Sequence, residues 1–322
     1  MMLHDFKEKV IRHKEDTMKE NGLIIGLDIG GTNVRIGMVN KSKVVEEFEI
    51  IKSKEIFHDK PIENLSCFIE DYRRRKGKNK NILAVSLGFP STIDRTRKIV
   101  LSTPNLTGMN NLNVVEELQE SLELPIFLER DVNLLIQYDM YMNKIHPEST
   151  VLGFYIGTGL GNAIVIKGRI YNGKNGCAGE LGHIPIMNNT IPCGCGNKGC
   201  MELFSSGKYL QIIREEFFPE TSLDKIFVKH SQDPKIVEYV EYLSIPIATE
   251  ISILDPDYVI LGGGVLQMEG FPFHKLESNI LSHTRKPFPA DNLAFHYARA
   301  HQENGVIGAG IYGFSCLKEG RR

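Results

Sequence analysis

An α/β protein built from two related halves is the fold class the sequence predicts. Apolar strand patterns alternate with helical ones along most of the chain. The device strand, glycine turn, strand occurs once in each half. Its copies are "IGGT" at Ile29–Thr32 and "IGTG" at Ile156–Gly159, 127 positions apart. A third glycine run, Gly262–Gly264, ends another buried strand. A length of 322 residues favours two domains over one.

The elements follow in order. Residues 1–20 carry Phe6, Val10 and Ile11 at helical spacing, which predicts an amphipathic helix. "GLIIGLDIGG" and "NVRIGMVN" read as strands joined by a Gly-Gly-Thr turn. "PIENLSCFIEDYRRRK" reads as a helix with Pro61 at its start and positive charge in its last turn, opposite the negative end of the helix dipole. "NILAVSLGFP" is a buried strand, "NVVEELQESL" a helix, "PIFLER" a strand, and "DVNLLIQYDMYMN" a helix opening at Asp131. "STVLGFYIGTGLGNAIVIKGRIYNG" repeats strand, glycine turn, strand. "SSGKYLQIIREEFF" is helical, and 235–254 is a helical region interrupted by Pro246. "DYVILGGGV" is a strand, and "NGVIGAGIYGFSCL" a glycine-punctuated apolar helix. The expected division is a small lobe, 1–130, to which the C-terminal helix 306–322 returns, and a larger lobe, 131–305.

Composition excludes several classes of function. Lys+Arg 38 against Asp+Glu 40 leaves a net charge of −2, which offers no footprint for nucleic acid or a membrane surface. The basic run "RRRKGKNK" has no interleaved aromatics and reads as a solvated helix end. No apolar run approaches the ~18 residues a membrane span needs. The charged N-terminus lacks the apolar core of a signal peptide, so a cytoplasmic protein with reduced thiols is expected. Cys67, Cys177 and Cys316 then read as core filler.

Three glycine turns point to a phosphate-bearing ligand. Asp28 ends the first strand before Gly30, Gly31, Thr32 and Asn33, and a carboxylate there can hold Mg²⁺ through water. Turn amides can cradle phosphate oxygens. The second turn offers Gly157, Thr158, Gly159 and Gly161, and the third, Gly262, Gly263 and Gly264, can pass beneath a flat ring. "GTGLGN" joins two strands instead of opening a helix, so it fails as a dinucleotide fingerprint, and no Walker loop occurs.

Asp131 stands between a strand and a helix, where it reads equally as general base or helix cap. Thr103 and Asn105 in "STPNL" supply polar groups for a hydroxylated ligand. His183, Cys193, Cys195 and Cys200 complete a tetrahedral zinc set with no position left for water, which makes the site structural. Unligated thiols and a disulfide are the alternatives. Glu180 and Glu202 would then be pinned on either side of the clip.

"DIGGTN", "GFP", "PNL", "RDVN", "IGTGLG", "GELGH", "CGCGNKGCME" and "VILGGGV" stand in this order. From about Leu23 onward the chain thereby resembles the ROK family of repressors and sugar kinases. The resemblance implies the two-lobed actin-like (ribonuclease-H-like) ATPase fold, with an interlobe active-site cleft and a zinc-binding insertion. It implies ATP, Mg²⁺ and structural Zn²⁺. Asp131 falls on the position of the catalytic base. Thr103, Asn105, Glu180, His183 and Glu202 fall on sugar-binding positions, with His183 also a zinc ligand, and the glycine turns fall on the ATP motifs. Two departures lie near the substrate: Arg130 replaces the usual sugar-contacting Asn, and no Trp follows "PNL". "STPNL", "RDVN" and "GELGHIP" look most like the branch that phosphorylates D-allose, which shares the Arg.

The implied reaction is ATP-dependent phosphorylation of the 6-hydroxyl of a free aldohexose, D-allose first. Glucose, fructose and N-acetylmannosamine are the alternative substrates. A sugar-responsive repressor is a remote alternative, since only 22 residues precede Leu23, too few for a three-helix DNA reader. The expected partners are sugar and ATP, without nucleic acid or membrane, in a homodimer or homotetramer.

Overall fold

A computed structural model describes residues 21–103, 106–299 and 301–321. The helix expected at 1–20 and the candidate Asn105 lie outside the described residues. Contacts divide the chain into two units, 1–138 with 301–322 and 139–300.

The first unit opens with β1 (Leu23–Ile29), β2 (Asn33–Val39) and β3 (Val45–Lys52), followed by α1 (Pro61–Lys76) and β4 (Ile82–Phe89). A small hairpin comes next, β5 (Thr92–Ile93) and β6 (Val100–Ser102), then α2 (Val114–Leu122), β7 (Ile126–Arg130) and α3 (Asp131–Met142). The large sheet runs β3-β2-β1-β4-β7. Its β3–β2 and β2–β1 pairs are antiparallel, and its β1–β4 and β4–β7 pairs are parallel. β1 is buried at nearly every residue because helices cover both faces of the sheet. On α1, Leu65, Ile69 and Tyr72 fall on one stripe and are fully buried.

The second unit holds β8 (Val151–Ile156), β9 (Leu160–Ile166) and β10 (Arg169–Ile170), then α4 (Gly207–Phe217), α5 (Ile226–His230) and α6 (Pro234–Leu254). β11 (Tyr258–Gly262), α7 (Phe273–His283) and β12 (Phe295–Tyr297) complete it. Its sheet runs β10-β9-β8-β11-β12, with the same two antiparallel and two parallel pairings. The duplication, faint in residue identity, is thus complete in topology. The last helix, α8 (Asn304–Lys318), packs in the first unit, where Ala309 and Tyr312 join Ile24, Ala84, Phe127 and Leu134 in one apolar cluster.

Two sequence expectations change. The helical region 235–254 is one continuous helix, and Pro246 lies buried inside it. Pro246 can give no amide hydrogen to the Tyr242 carbonyl one turn back, and burial of the helix outweighs that loss. Of the three cysteines read as core filler, only Cys316 is buried. Cys67 is exposed, because it falls off the Leu65–Ile69–Tyr72 stripe of α1, and Cys177 is half-buried in a loop.

Candidate functional site

In the first unit, the parallel strands β1, β4 and β7 end at one edge of the sheet. Asp28 sits in register with Gly88, and Phe89 with Arg130, so Asp28, Gly88 and Asp131 gather at the carboxyl ends of the strands. Ligands of open α/β sheets bind outside such ends. A Cβ on Gly88 would lie 2.7 Å from Leu134 and 3.5 Å from the Asp131 Cα. Asp131 is the first residue of α3, and its Oδ1 accepts the Val132 N–H at 2.7 Å.

Burial raises the Asp28 carboxyl above its ordinary 3.8, opposed by Arg35, whose Nη1 lies 3.4 Å away. The turn after Asp28 is held from behind by Ser53: its hydroxyl donates to the Gly30 carbonyl at 2.6 Å and its N–H to the Thr32 carbonyl at 3.0 Å. Lys52 donates to the Asn33 side chain at 2.9 Å, while Gly31 and Thr32 face solvent.

Thr103 is buried, and its Oγ1 has no hydrogen-bond partner among the described residues. Ser91, which the sequence did not single out, has an equally orphaned hydroxyl. The β5–β6 ladder pairs Thr92 with Ser102, which puts Ser91 and Thr103 at the same end of the hairpin. Only that register could have signalled Ser91. Arg130 is buried, with its N–H donated to the Glu129 side chain at 2.8 Å.

The second unit has its own edge, at the ends of β8 and β11. The carbonyls of Gly157 and Thr158 accept the first amides of α4, from Gly207 at 2.8 Å and Lys208 at 3.1 Å. Gly263 has φ +98°, and a Cβ there would meet the Ile156 backbone at 2.4 Å, so the third glycine turn lies directly on the second. Added Cβ atoms on Gly157 and Gly264 would meet nothing within 4 Å. Packing therefore does not require glycine at those two positions.

The structure also joins the second turn to the cysteine-rich loop. Glu202 Oε2 accepts the Leu160 N–H at 2.9 Å, and a Cβ on Gly159 would stand 2.4 Å from that oxygen. Glu180 lies beside His183, with its Oε2 3.7 Å from Nε2. The other ring nitrogen, Nδ1, is 3.7 Å from Cys193 Sγ, and Cys195 Sγ is 3.6 Å from Cys200 Sγ. All four ligand atoms lie within 4.8 Å of one another. Tetrahedral zinc with bonds of about 2.3 Å to sulfur would separate its ligand atoms by roughly 3.5–3.8 Å, so the set fits zinc. Bonds of 2.8 Å from Cys193 N to Asn197 O and 3.0 Å from Gly196 N to Cys193 O shape the knuckle.

Two buried acids with raised carboxyls escaped sequence reasoning, because nothing local marks an acid that will be buried. Tyr155 donates to Asp139 at 2.8 Å, and burial pushes the Asp139 carboxyl up to about 7. Asn162 donates to Glu250 at 2.7 Å, and burial pushes that carboxyl up to about 7 as well.

A family model described as "ROK family" matches residues 24–312. The chain belongs to the ROK family. It is 29% identical over 256 residues to an N-acetyl-D-glucosamine kinase of Vibrio cholerae, covering 74% of this chain and 83% of that protein. It is 27% identical to a glucokinase of Thermotoga maritima, covering 82% of this chain and 89% of the other. A crystal structure of the ROK hexokinase from Thermus thermophilus superposes with a TM-score of 0.75 at 26% identity, covering 92% of this chain and 99% of the other. The α/β fold with two mixed sheets is therefore the fold of ROK sugar kinases, as the motifs implied. Among the described residues, no helix is long and apolar enough to cross a membrane.

Proposed function

We propose that this ROK protein is an ATP-dependent hexose kinase that phosphorylates the 6-hydroxyl of a free aldohexose. The observation that carries this reading is the placement of Asp131. It opens the helix leaving β7, at the carboxyl edge shared with Asp28, in a chain that matches the ROK model over 24–312. Asp131 takes the proton from the accepting hydroxyl as the phosphoryl group moves to it. Thr103, Asn105, Glu180, His183 and Glu202 bind the sugar. The turns Gly30–Asn33, Gly157–Gly161 and Gly262–Gly264 bind ATP, and open space beside Gly157 and Gly264 favours close approach of a ligand to the backbone. Mg²⁺, held by Asp28 and the phosphates, would neutralise charge on the transferring group. Zinc on His183, Cys193, Cys195 and Cys200 would hold the sugar-facing loop and take no part in the transfer.

D-allose is the proposed substrate. Arg130 stands where the family usually has a sugar-contacting Asn, and its position directly before Asp131 supports reading it as a determinant of which hexose fits. A second reading, glucose or N-acetylglucosamine, is favoured by the names of the relatives. A coupled assay of ADP release across a panel of hexoses separates the two. Fast turnover of glucose with none of D-allose would overturn the D-allose reading. Loss of a general base lowers rates by about 10²–10⁴-fold, so Asp131→Ala should remove nearly all turnover while sugar still binds. Near-normal kcat in that variant would refute the assignment of the base.

A further inference from the structure

We infer that Arg97 and Glu129 form a positioning pair that orients Asp131. The inference rests on the reading of Asp131 as the base and adds two residues that the motifs do not include.

Arg97 lies on the tip between β5 and β6, far from α3 in sequence. The tip is built around Asp94, whose Oδ1 accepts the N–H groups of Lys98 at 2.9 Å and Ile99 at 2.7 Å. Oδ2 accepts the Thr96 N–H at 2.9 Å and also the Thr96 hydroxyl. The Arg97 N–H closes the turn on the Asp94 carbonyl at 3.0 Å. These bonds put Arg97 at φ +59°, a left-handed conformation that an arginine tolerates less well than glycine.

Its guanidinium is turned inward. Side-chain exposure is 7% for Arg97 and 1% for Glu129, and Nη2 lies 3.2 Å from Glu129 Oε1. Arg97 Nη1 also donates to the Ile93 carbonyl at 3.4 Å, which ties the guanidinium to its own hairpin. The same Oε1 accepts the Arg130 N–H at 2.8 Å and the Asn133 side-chain amide at 2.9 Å. One carboxylate oxygen therefore grips the chain one residue before Asp131 and again two residues after it. Arg97 sets its positive charge 3.2 Å from that oxygen, as an ion pair without hydrogen-bond geometry.

Stability alone explains this poorly. A buried ion pair seldom stabilises more than apolar residues of the same volume, and here it is combined with an unfavourable backbone conformation. What the pair supplies is one fixed direction for the strand-to-helix junction. A base must meet its proton in a narrow geometry, where displacement by about 1 Å lowers the rate by roughly 10²-fold.

The test uses Arg97→Gly, which suits the left-handed backbone and removes the whole side chain, its guanidinium included. With the hexose turned over best in the panel, kcat should fall about 10- to 100-fold while KM for sugar and for ATP stays within roughly threefold. Arg97→Lys should recover part of the loss. In an Asp131→Asn background, Arg97→Gly should change the residual kcat by less than about threefold, because the group it acts through is already gone. Wild-type kcat in Arg97→Gly, or a loss that multiplies with that of Asp131→Asn, overturns the inference. If Arg97→Gly does not fold, Arg97→Gly/Glu129→Gln removes the uncompensated charge. A folded double variant with wild-type kcat refutes the pair, and one with low kcat and normal KM supports it. Near-normal kcat in Asp131→Asn would instead show that the base reading itself had failed, and the inference would fall with it.

Discussion

Replacing Asp139 by asparagine isolates the titration of a single buried group. The carboxyl is 1% exposed and accepts a hydrogen bond from Tyr155 at 2.8 Å. Burial outweighs that bond and moves the carboxyl from its ordinary 3.8 up to about 7. The folded protein then binds this proton more tightly than the unfolded chain does. The group's contribution is most favourable below about pH 4 and is lost as pH rises towards 7. At 1.36 kcal/mol per unit, a rise from 3.8 to about 7 makes the full loss about 4 kcal/mol. Asparagine can still accept the Tyr155 hydroxyl bond, yet it has no proton to lose. The stability of Asp139→Asn relative to wild type should therefore rise by about 1.4 kcal/mol per pH unit between pH 4.5 and 6.5. Urea unfolding at several pH values measures this. The chain has eleven tyrosines and no tryptophan, so tyrosine fluorescence and circular dichroism are the probes. Glu250 rises in the same direction and contributes to both curves, so only their difference reports Asp139. Parallel curves for the two proteins would refute the argument.

The glycine turns make a paired prediction. Gly157→Ala adds a methyl group that meets nothing within 4 Å, so the melting temperature should hold while KM for ATP rises. Gly159→Ala places its methyl 2.4 Å from Glu202 Oε2 and should break the Leu160 N–H bond, at about 1–3 kcal/mol of stability. Identical thermal and kinetic behaviour of the two variants would contradict the roles assigned to these positions. For the cysteine loop, metal analysis should find one zinc per chain. Stripping it with a chelator should free Glu180 and Glu202 and raise the sugar KM roughly 10- to 100-fold, the worth of charge-assisted hydrogen bonds of about 1.5–3 kcal/mol. Undiminished sugar affinity in zinc-free protein would show that the metal does not hold the loop.

The sequence by itself determined the class of fold, the repeated hairpin, the His/Cys cluster that could hold a metal, and the family. Each depends on residues close in the chain or in fixed order, such as the apolar runs of β1 and β8 or the spacing Cys193-x-Cys195-x4-Cys200. The four candidate ligand atoms needed only a tight local loop to meet within 4.8 Å. Pro246 misled because a local breaking signal was overridden by tertiary burial of α6. Cys67 misled because composition says nothing of which helical face turns inward. Only the tertiary structure decided the contacts that close long loops. Sheet pairing brings Asp28 beside Gly88, a hairpin register sets Ser91 near Thr103, and Glu202 reaches back 42 positions to Leu160. The junction of Arg97, Glu129 and Asn133 around Asp131 is of the same kind. Burial of a charge and direction of a side chain are properties of the packed chain, and no local run of letters carries them.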